Sequence, residues 1–270
     1  EVAEPVAEVE ARQIPAPDGG DAVRLGEQRH QHAQVEELHT AADERRQLLH
    51  VPLELQRQLG VGCHETAWAM LHKLRGAMVA PERDPLKGEV EIDEFFLGGH
   101  VEGLKGGRQH GKKALVSIAI EVRGQGSGRL RLRVLENSQA KTLEAFTKAT
   151  TVPGAIVHTD GLPSYNGLPK LGYDHRPRKV ASVEPGEELL PRIHRAVSNL
   201  KAWMHGTHRG VSDAYLQVYL DEYVFRHNRR GTPMAAFQTL LGLGAIHDPT
   251  TYGEMTALRH AASVNRIRIS

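Results

Sequence analysis

The chain has 270 residues and a formal net charge of +1, with 40% hydrophobic and 25% charged residues, as in an ordinary globular protein. No apolar run approaches the roughly 20 residues that span a bilayer, and the first residues lack a signal-peptide pattern. The single cysteine, Cys63, excludes an intrachain disulfide and a thiolate-rich zinc site built by this chain alone. We therefore expect a cytoplasmic protein.

The first 50 residues differ from the rest of the chain. They hold 11 acids and 5 arginines, a net charge of −6, so the remainder carries +7. They show no sustained helical or strand period, which predicts a disordered or loosely helical segment. A fragment, or a stretch translated in a shifted frame, is the alternative. The basic remainder indicates a polyanionic partner.

Residues 51–80 read as two short helices around the turn Gly60-Val61-Gly62. This pattern predicts a helix-turn-helix DNA-binding segment, with an ordinary helical hairpin as the alternative. The apolar face of the second helix is expected to consist of Ala67, Met70, Leu71 and Leu74.

From residue 88 the hydrophobic period changes to that of strands. Three strands in antiparallel spacing precede a helix, a short buried strand, a further edge strand and long helices. This order predicts an α/β (α+β) fold over residues 88–241, with a ribonuclease-H-like mixed sheet and flanking helices. Residues 242–270 are then a C-terminal tail.

Two acids stand out in that arrangement. Asp93 lies within the first strand, and Asp160 follows the fourth strand, which neighbours the first in this fold. Converging carboxylates suit a hard divalent cation such as Mg²⁺. A functionless Asp-Gly turn is the alternative for Asp160. Glu94 alternates to the opposite strand face, and Glu91 lies too far along the strand to be a ligand. We expect Glu89 and Glu91 to be solvated or to support the site without touching the ion.

Several long motifs resemble those of the ISXO-like insertion-sequence transposases, a branch of the DDE superfamily. They are VEIDEFFLGG, GRLRLRVLENS, HTDGLPSYNGL, LLPRIHRAVSNLKAWMHGTHRGVS and YLDEYVFRHNRR. The resemblance implies a catalytic domain that cuts and joins DNA at insertion-sequence ends with Mg²⁺ or Mn²⁺. It also implies terminal inverted repeats and target DNA as partners, at least a dimer on DNA, and a prokaryotic cytoplasmic protein.

The resemblance assigns catalytic roles to three residues. Asp93 and Asp160 match the two metal-binding acids, and Asn199 occupies the third position, 39 residues after Asp160. An asparagine offers a carbonyl oxygen but no negative charge. Glu222 remains the other candidate for a third acid, although an exposed helical face near cations would also explain it.

DNA contacts are expected from Thr66 in the second short helix and from Lys201, Arg229 and Arg230. The two arginines end a helix, so an interaction with the helix dipole is an equally strong explanation. The basic loop at 103–113 could touch the DNA backbone or be an ordinary surface loop. His194 and His208 flank the third motif, where each could orient substrate or be a surface histidine.

The sequence also departs from the family. Residues 1–50 contain no cysteine, so the zinc ribbon that typically precedes the helix-turn-helix is missing or unreadable, and the turn before Thr66 is one residue longer than usual. Two other functions therefore stay open. One is a catalytically inactive remnant that acts at most as a DNA-binding protein, and the other is a host nuclease of the same fold.

Overall fold

A computed structural model describes residues 50–80, 82–98, 113–178, 188–208, 211–248, 250–261 and 266–267. These residues belong to one compact unit of the chain, Gln47–Ser270. The predictions for residues 1–49, and for the basic loop up to residue 112, lie outside the described residues. No helix in the described ranges is long and apolar enough to cross a membrane.

The centre of the fold is a five-stranded mixed sheet. Its strands are β1 (Glu89–Leu97), β2 (Ala114–Arg123), β3 (Gly126–Leu135), β4 (Ile156–Thr159) and β5 (Asp174–Pro177). They lie in the order β3-β2-β1-β4-β5. The first three pair antiparallel, whereas β4 is parallel to β1 and β5 is parallel to β4. This is the ribonuclease-H-like order, which confirms the predicted fold.

Helices cover both faces of the sheet. On one face lies α3 (Ala140–Thr150), and on the other lie α4 (Pro191–Thr207) and α5 (Leu216–Asn228). Because side chains alternate along β1, Val90 and Ile92 enter the core beneath α3 while Leu97 enters the core beneath α4. The sheet therefore separates two apolar layers, and Asp93 belongs to the α4 side.

The predicted helical pair is present as α1 (His50–Leu59) and α2 (His64–Ala77), with Gly60 between them at a φ of +65°. However, the apolar face predicted for α2 is wrong in part, because Met70 and Leu74 are 36% and 43% exposed. Ala67 is buried as predicted, and the other buried positions of α2 are His72 and Arg75.

A buried ion pair explains this orientation of α2. The Arg75 Nε donates to Glu222 Oε2 on α5 at 2.7 Å, and both side chains are less than a tenth exposed. Arg75 also lies over the ring of Tyr219, 4.5 Å from its centroid. The residues of α5 that contact Arg75 are polar and aromatic. The side of α2 that packs against α5 is therefore the one that carries Arg75, not the predicted apolar face.

The chain continues beyond α5 with α6 (Pro233–Ile246), α7 (Tyr252–Ala261) and a short antiparallel pair, β6 (Val211–Ser212) with β7 (Arg266–Ile267). Helix α6 runs past the boundary predicted at residue 241. None of its described residues is buried. The proposed division into domains stays a prediction.

The buried pair between α2 and α5 predicts a large cost for Glu222→Ala. The substitution leaves Arg75 buried without its carboxylate, which we expect to lower the free energy of unfolding by about 3 kcal/mol. The neighbouring pair Arg83–Asp221 is more exposed, so Asp221→Ala is the matched control and should cost less than about 1 kcal/mol. Urea unfolding of both variants measures the difference, and equal losses would contradict the structural role of Glu222.

Candidate active site

The pairing of β1 with β4 brings the two predicted acids side by side. The parallel register aligns Glu89 with Ile156 and Glu91 with His158. Extended by two residues, the same register sets Asp93 opposite Asp160. Strand β4 ends at Thr159, whereas β1 continues to Leu97. The two acids therefore lie at the end of β4, where β1 continues without β4 beside it.

Each of these carboxylates uses one oxygen locally. Asp93 Oδ1 accepts the Glu94 N–H at 2.8 Å, and Asp160 Oδ1 accepts the Leu162 N–H at 2.9 Å. Within the described residues, neither Oδ2 atom accepts a hydrogen bond. Two carboxylate oxygens thus remain at one edge for a further ligand, whereas the fully buried acids Glu91 and Glu222 have both oxygens in hydrogen bonds.

The electrostatics of the pair favour a bound cation. Burial raises the pKa of Asp93 to about 7, opposed by the Glu94 N–H and reinforced by the nearby Asp160 and Glu94 carboxylates. The pKa of Glu94 is also raised, first by burial, although the Tyr165 hydroxyl acts against it. A divalent cation would relieve this repulsion, because it favours the ionised form of each acid.

Glu91 fixes the helix that lies over this site. Its side chain is fully buried, so of the two expectations for Glu91 the solvated one is wrong and the supporting one remains. It accepts the backbone N–H groups of Arg192 and Ile193, each at 3.1 Å, and pairs with the Arg192 guanidinium at 2.8 Å. A carboxylate at a helix N-terminus satisfies free N–H groups and complements the helix dipole. Glu91 therefore joins α4 to β1, two residues before Asp93.

The two flanks of α4 face different parts of the fold. Arg192 and Arg195 donate to carbonyls of Gly126 and Gln125 in the β2–β3 turn. Asn199 follows these arginines by seven and four residues, which places it on the same flank. It is exposed. The opposite flank carries His194, whose charge acts on Asp93.

Helical geometry thus favours His194 over Asn199 as the group from α4 that approaches the acids. The assignment of Asn199 stays a prediction. His194 is about half exposed and lies 3.6 Å from Glu188, measured from Nδ1 to Oε2. Lys201 comes seven residues after His194, about two turns along the same flank, and is exposed. This position fits the predicted contact of Lys201 with a phosphate.

The remaining predicted DNA contacts lie in two other places. Thr66 is exposed in the first turn of α2, with its Oγ1 3.0 Å from Cys63 Sγ. Arg229 lies over the Phe225 ring at 4.1 Å, and Arg230 donates to the His227 carbonyl at 2.8 Å. The arginines thus have structural contacts at the end of α5, and their role in DNA binding stays a prediction.

Two candidates from the sequence lie in the interior, away from the acids. His208 is buried against Trp203 and Tyr219, and burial together with Arg75 lowers its pKa to about 4. For Glu222, the candidate third acid, the alternative of an exposed helical face is wrong, because the residue is buried and both of its oxygens are held by arginines, Arg75 and Arg226. Although burial opposes it, this pairing lowers the pKa of Glu222.

Sequence reasoning missed one polar contact next to the site. The Tyr165 hydroxyl donates to Glu94 Oε2 at 2.7 Å, and Tyr165 is fully buried. The two residues are 71 positions apart, and neither lies in a pattern that distinguishes it from an ordinary core tyrosine or a surface acid. For Glu91, the signal was available in Pro191, which marks a helix start where a carboxylate is favourable.

The donor set fits a hard cation. Carboxylate oxygens are what Mg²⁺ and Mn²⁺ prefer, and one or two of them are usual for Mg²⁺ bound together with phosphate. Among the described residues, no group of three His, Cys, Asp or Glu side chains is already assembled around one point. Asp93 and Asp160 would therefore hold the ion as a pair, with other ligands supplied by water or substrate.

A family profile matches more than half of the chain. It is described as an ISXO2-like transposase domain, and it covers residues 85–228. The chain belongs to this transposase family. The matched region spans the five strands together with α3, α4 and α5, and so contains every element that surrounds the two acids.

Solved structures similar to this transposase are distant. The catalytic core domain of BIV integrase is 12% identical with a TM-score of 0.34, over 58% of this chain and 95% of that one. A Mos1 transposase paired-end complex with the left transposon end is 13% identical with a TM-score of 0.25, over 88% and 83% of the two chains. No curated protein sequence matches the chain. The sheet order and the family match, not these similarities, carry the assignment.

The raised pKa of Asp93 predicts a pH-dependent stability. Because the folded state holds this proton more tightly than the unfolded chain, stability is lost as the pH rises from about 4 to about 7. Asp93→Asn removes the effect, so without divalent cations the variant should exceed wild type above pH 7 by about 2 kcal/mol, allowing for the partial exposure of the carboxylate.

Thermal unfolding in EDTA at pH 4 and pH 8 measures this difference. The exposed Asp174, which pairs with Arg176, provides the control variant Asp174→Asn, which should not gain stability at pH 8. A wild type that is as stable as Asp93→Asn at pH 8 would contradict the buried, proton-binding environment of Asp93.

Proposed function

We propose that this transposase cuts and joins DNA at insertion-sequence ends by divalent-metal-dependent phosphoryl transfer. The observation that supports the proposal is the register of β1 and β4, which aligns Asp93 with Asp160 when it is extended by two residues. Among the described residues, no donor reaches the second oxygen of either acid. Paired carboxylates at the open edge of a sheet serve this chemistry. The DNA partners would be terminal inverted repeats and target DNA, bound by a dimer or larger assembly in the cytoplasm.

The residues of the chain would divide the work between binding and orientation. Asp93 and Asp160 would hold Mg²⁺ or Mn²⁺, which when bound activates the attacking oxygen and neutralises charge on the phosphate. Lys201, on the same flank of α4 as His194, would contact the DNA backbone as a point charge. Glu91 would keep α4 in register with β1, so that this flank stays over the acids.

The third contribution to the site would come from His194. It is the described residue of α4 that acts electrostatically on Asp93. Because no group of three ligand side chains is assembled among the described residues, the imidazole would orient substrate or a metal-bound water rather than complete the coordination of the ion.

Strand cleavage tests the proposed function. Purified protein is incubated with Mn²⁺ and duplex DNA that carries the ends of the encoding element. We expect nicked and strand-transfer products from wild type, and at least a hundredfold less from Asp93→Ala and Asp160→Ala. The control Asp174→Ala, on the exposed strand β5, should react like wild type.

The same assay separates the alternatives. A wild type that binds the DNA without product, or Asp93→Ala with undiminished activity, would indicate an inactive remnant. Cleavage without preference for the terminal repeats would indicate a nuclease of the same fold.

Metal titration compares the two candidates on α4. By calorimetry, His194→Ala should weaken Mn²⁺ binding by about tenfold, whereas Asn199→Ala should change it by less than about twofold. His194→Glu should strengthen Mg²⁺ binding, because it adds a negative charge near the two carboxylates. A larger loss in Asn199→Ala than in His194→Ala would restore Asn199 as the third member.

A further inference from the structure

The hydrogen bond between Tyr165 and Glu94 crosses the open end of the sheet. Glu94 follows Asp93 on β1, and Tyr165 lies five residues after Asp160, in the 3₁₀ helix Pro163–Tyr165. The tyrosine ring is fully buried in the core beneath α3. The bond of 2.7 Å therefore ties the segment that carries one acid to the strand that carries the other.

This segment needs such a tie, because the β1–β4 ladder ends before the acids. The last paired residues are Glu91 and His158. Beyond them the chain leaves β4 through Gly161, which has a φ of +82°. Among the hydrogen bonds of the described residues, the one between Tyr165 and Glu94 is the only one that joins residues 160–165 to β1.

The other hydrogen bonds of the turn after β4 lie within the turn or reach β5. Thr159 Oγ1 accepts the Gly161 N–H at 3.2 Å and lies 2.9 Å from His175 Nε2 on β5. Asp160 accepts the Leu162 N–H. These bonds shape the turn and attach it to β5, but they do not set its distance from Asp93.

The chemistry of the bond suits a permanent attachment. Burial and the neighbouring Glu94 raise the pKa of Tyr165, so its hydroxyl remains a donor. A hydroxyl that donates to a carboxylate makes a short, strong hydrogen bond.

We propose that Glu94 and Tyr165 are a positioning pair that holds Asp160 opposite Asp93, and that neither residue binds the metal ion. The inference rests on the proposed function of the two acids. Glu94 lies on the opposite face of β1 from Asp93. It would therefore position the site through its hydrogen bond to Tyr165 and would not coordinate the ion.

Three variants separate positioning from coordination by their affinity for Mn²⁺, measured by calorimetry with the metal alone. Tyr165→Phe and Glu94→Ala remove the bond and should weaken binding by about tenfold. Glu94→Gln keeps an acceptor oxygen for the tyrosine and should stay within about threefold of wild type. If Glu94→Gln falls as far as Glu94→Ala, Glu94 is a ligand and the proposal is overturned.

Tyr173 offers a matched control in the same core. Its hydroxyl donates to the Thr151 carbonyl at 3.1 Å, far along the sheet from the acids. Tyr173→Phe should lower thermal stability as much as Tyr165→Phe does, yet leave Mn²⁺ affinity unchanged. Equal affinity losses in the two variants would show a general structural effect and contradict the positioning role.

Hydrogen exchange gives a second readout that does not depend on metal binding. In Tyr165→Phe, amides of residues 160–165 should exchange at least fivefold faster than in wild type, while those of β2 keep their rates. This result is expected even if wild type fails to bind Mn²⁺, a failure that would overturn the proposed function alone. Unchanged exchange in residues 160–165 would overturn the positioning pair.

Discussion

The parallel ladder between β1 and β4 is the constraint on which the candidate site depends. It consists of three residue pairs, from Glu89–Ile156 to Glu91–His158, and it is held in place by Val90 and Val157, which are fully buried beneath α3. Without this register, nothing local would relate Asp93 to Asp160, because three strands and a helix lie between them along the chain. The ladder ends just before the acids, so they meet at an edge that is open to substrate.

The acids around this ladder differ in what they contact, and the difference determines which of them can bind a cation. Glu91 is fully occupied by the N-terminus of α4 and Glu222 by two arginines. Glu94 has one oxygen held by Tyr165 and lies on the opposite face of β1 from Asp93. Asp93 and Asp160 each retain an oxygen without a donor among the described residues. Burial without a compensating cation also explains the high pKa of Asp93, since an ionised carboxylate there lacks the partner that Glu91 and Glu222 have.

The sequence predicted the parts of the protein that depend on local periodicity. The alternation in β1, the apolar run of β2 and the helical stripes of α4 and α5 are visible in the residues, and their order indicated a ribonuclease-H-like sheet. The stripe of α2 was misread, because Met70 and Leu74 are exposed while Arg75 is buried. Burying an arginine is favourable only beside a carboxylate partner. The partner of Arg75 is 147 residues away along the chain, so the residues of α2 alone do not indicate that Arg75 is buried.

By itself, the sequence determined the family and the order of the strands and singled out the two acids as the predicted site, since each follows from a motif or a period within one segment. Only the tertiary structure showed that Glu222 holds α2 and that Glu91 anchors α4, and only the placement of α4 favours His194 over Asn199 as the residue nearer to Asp93. The reason is that a helical period defines the faces of a helix but not their direction. That direction is set by contacts such as Glu91 with Arg192, which join residues 101 positions apart.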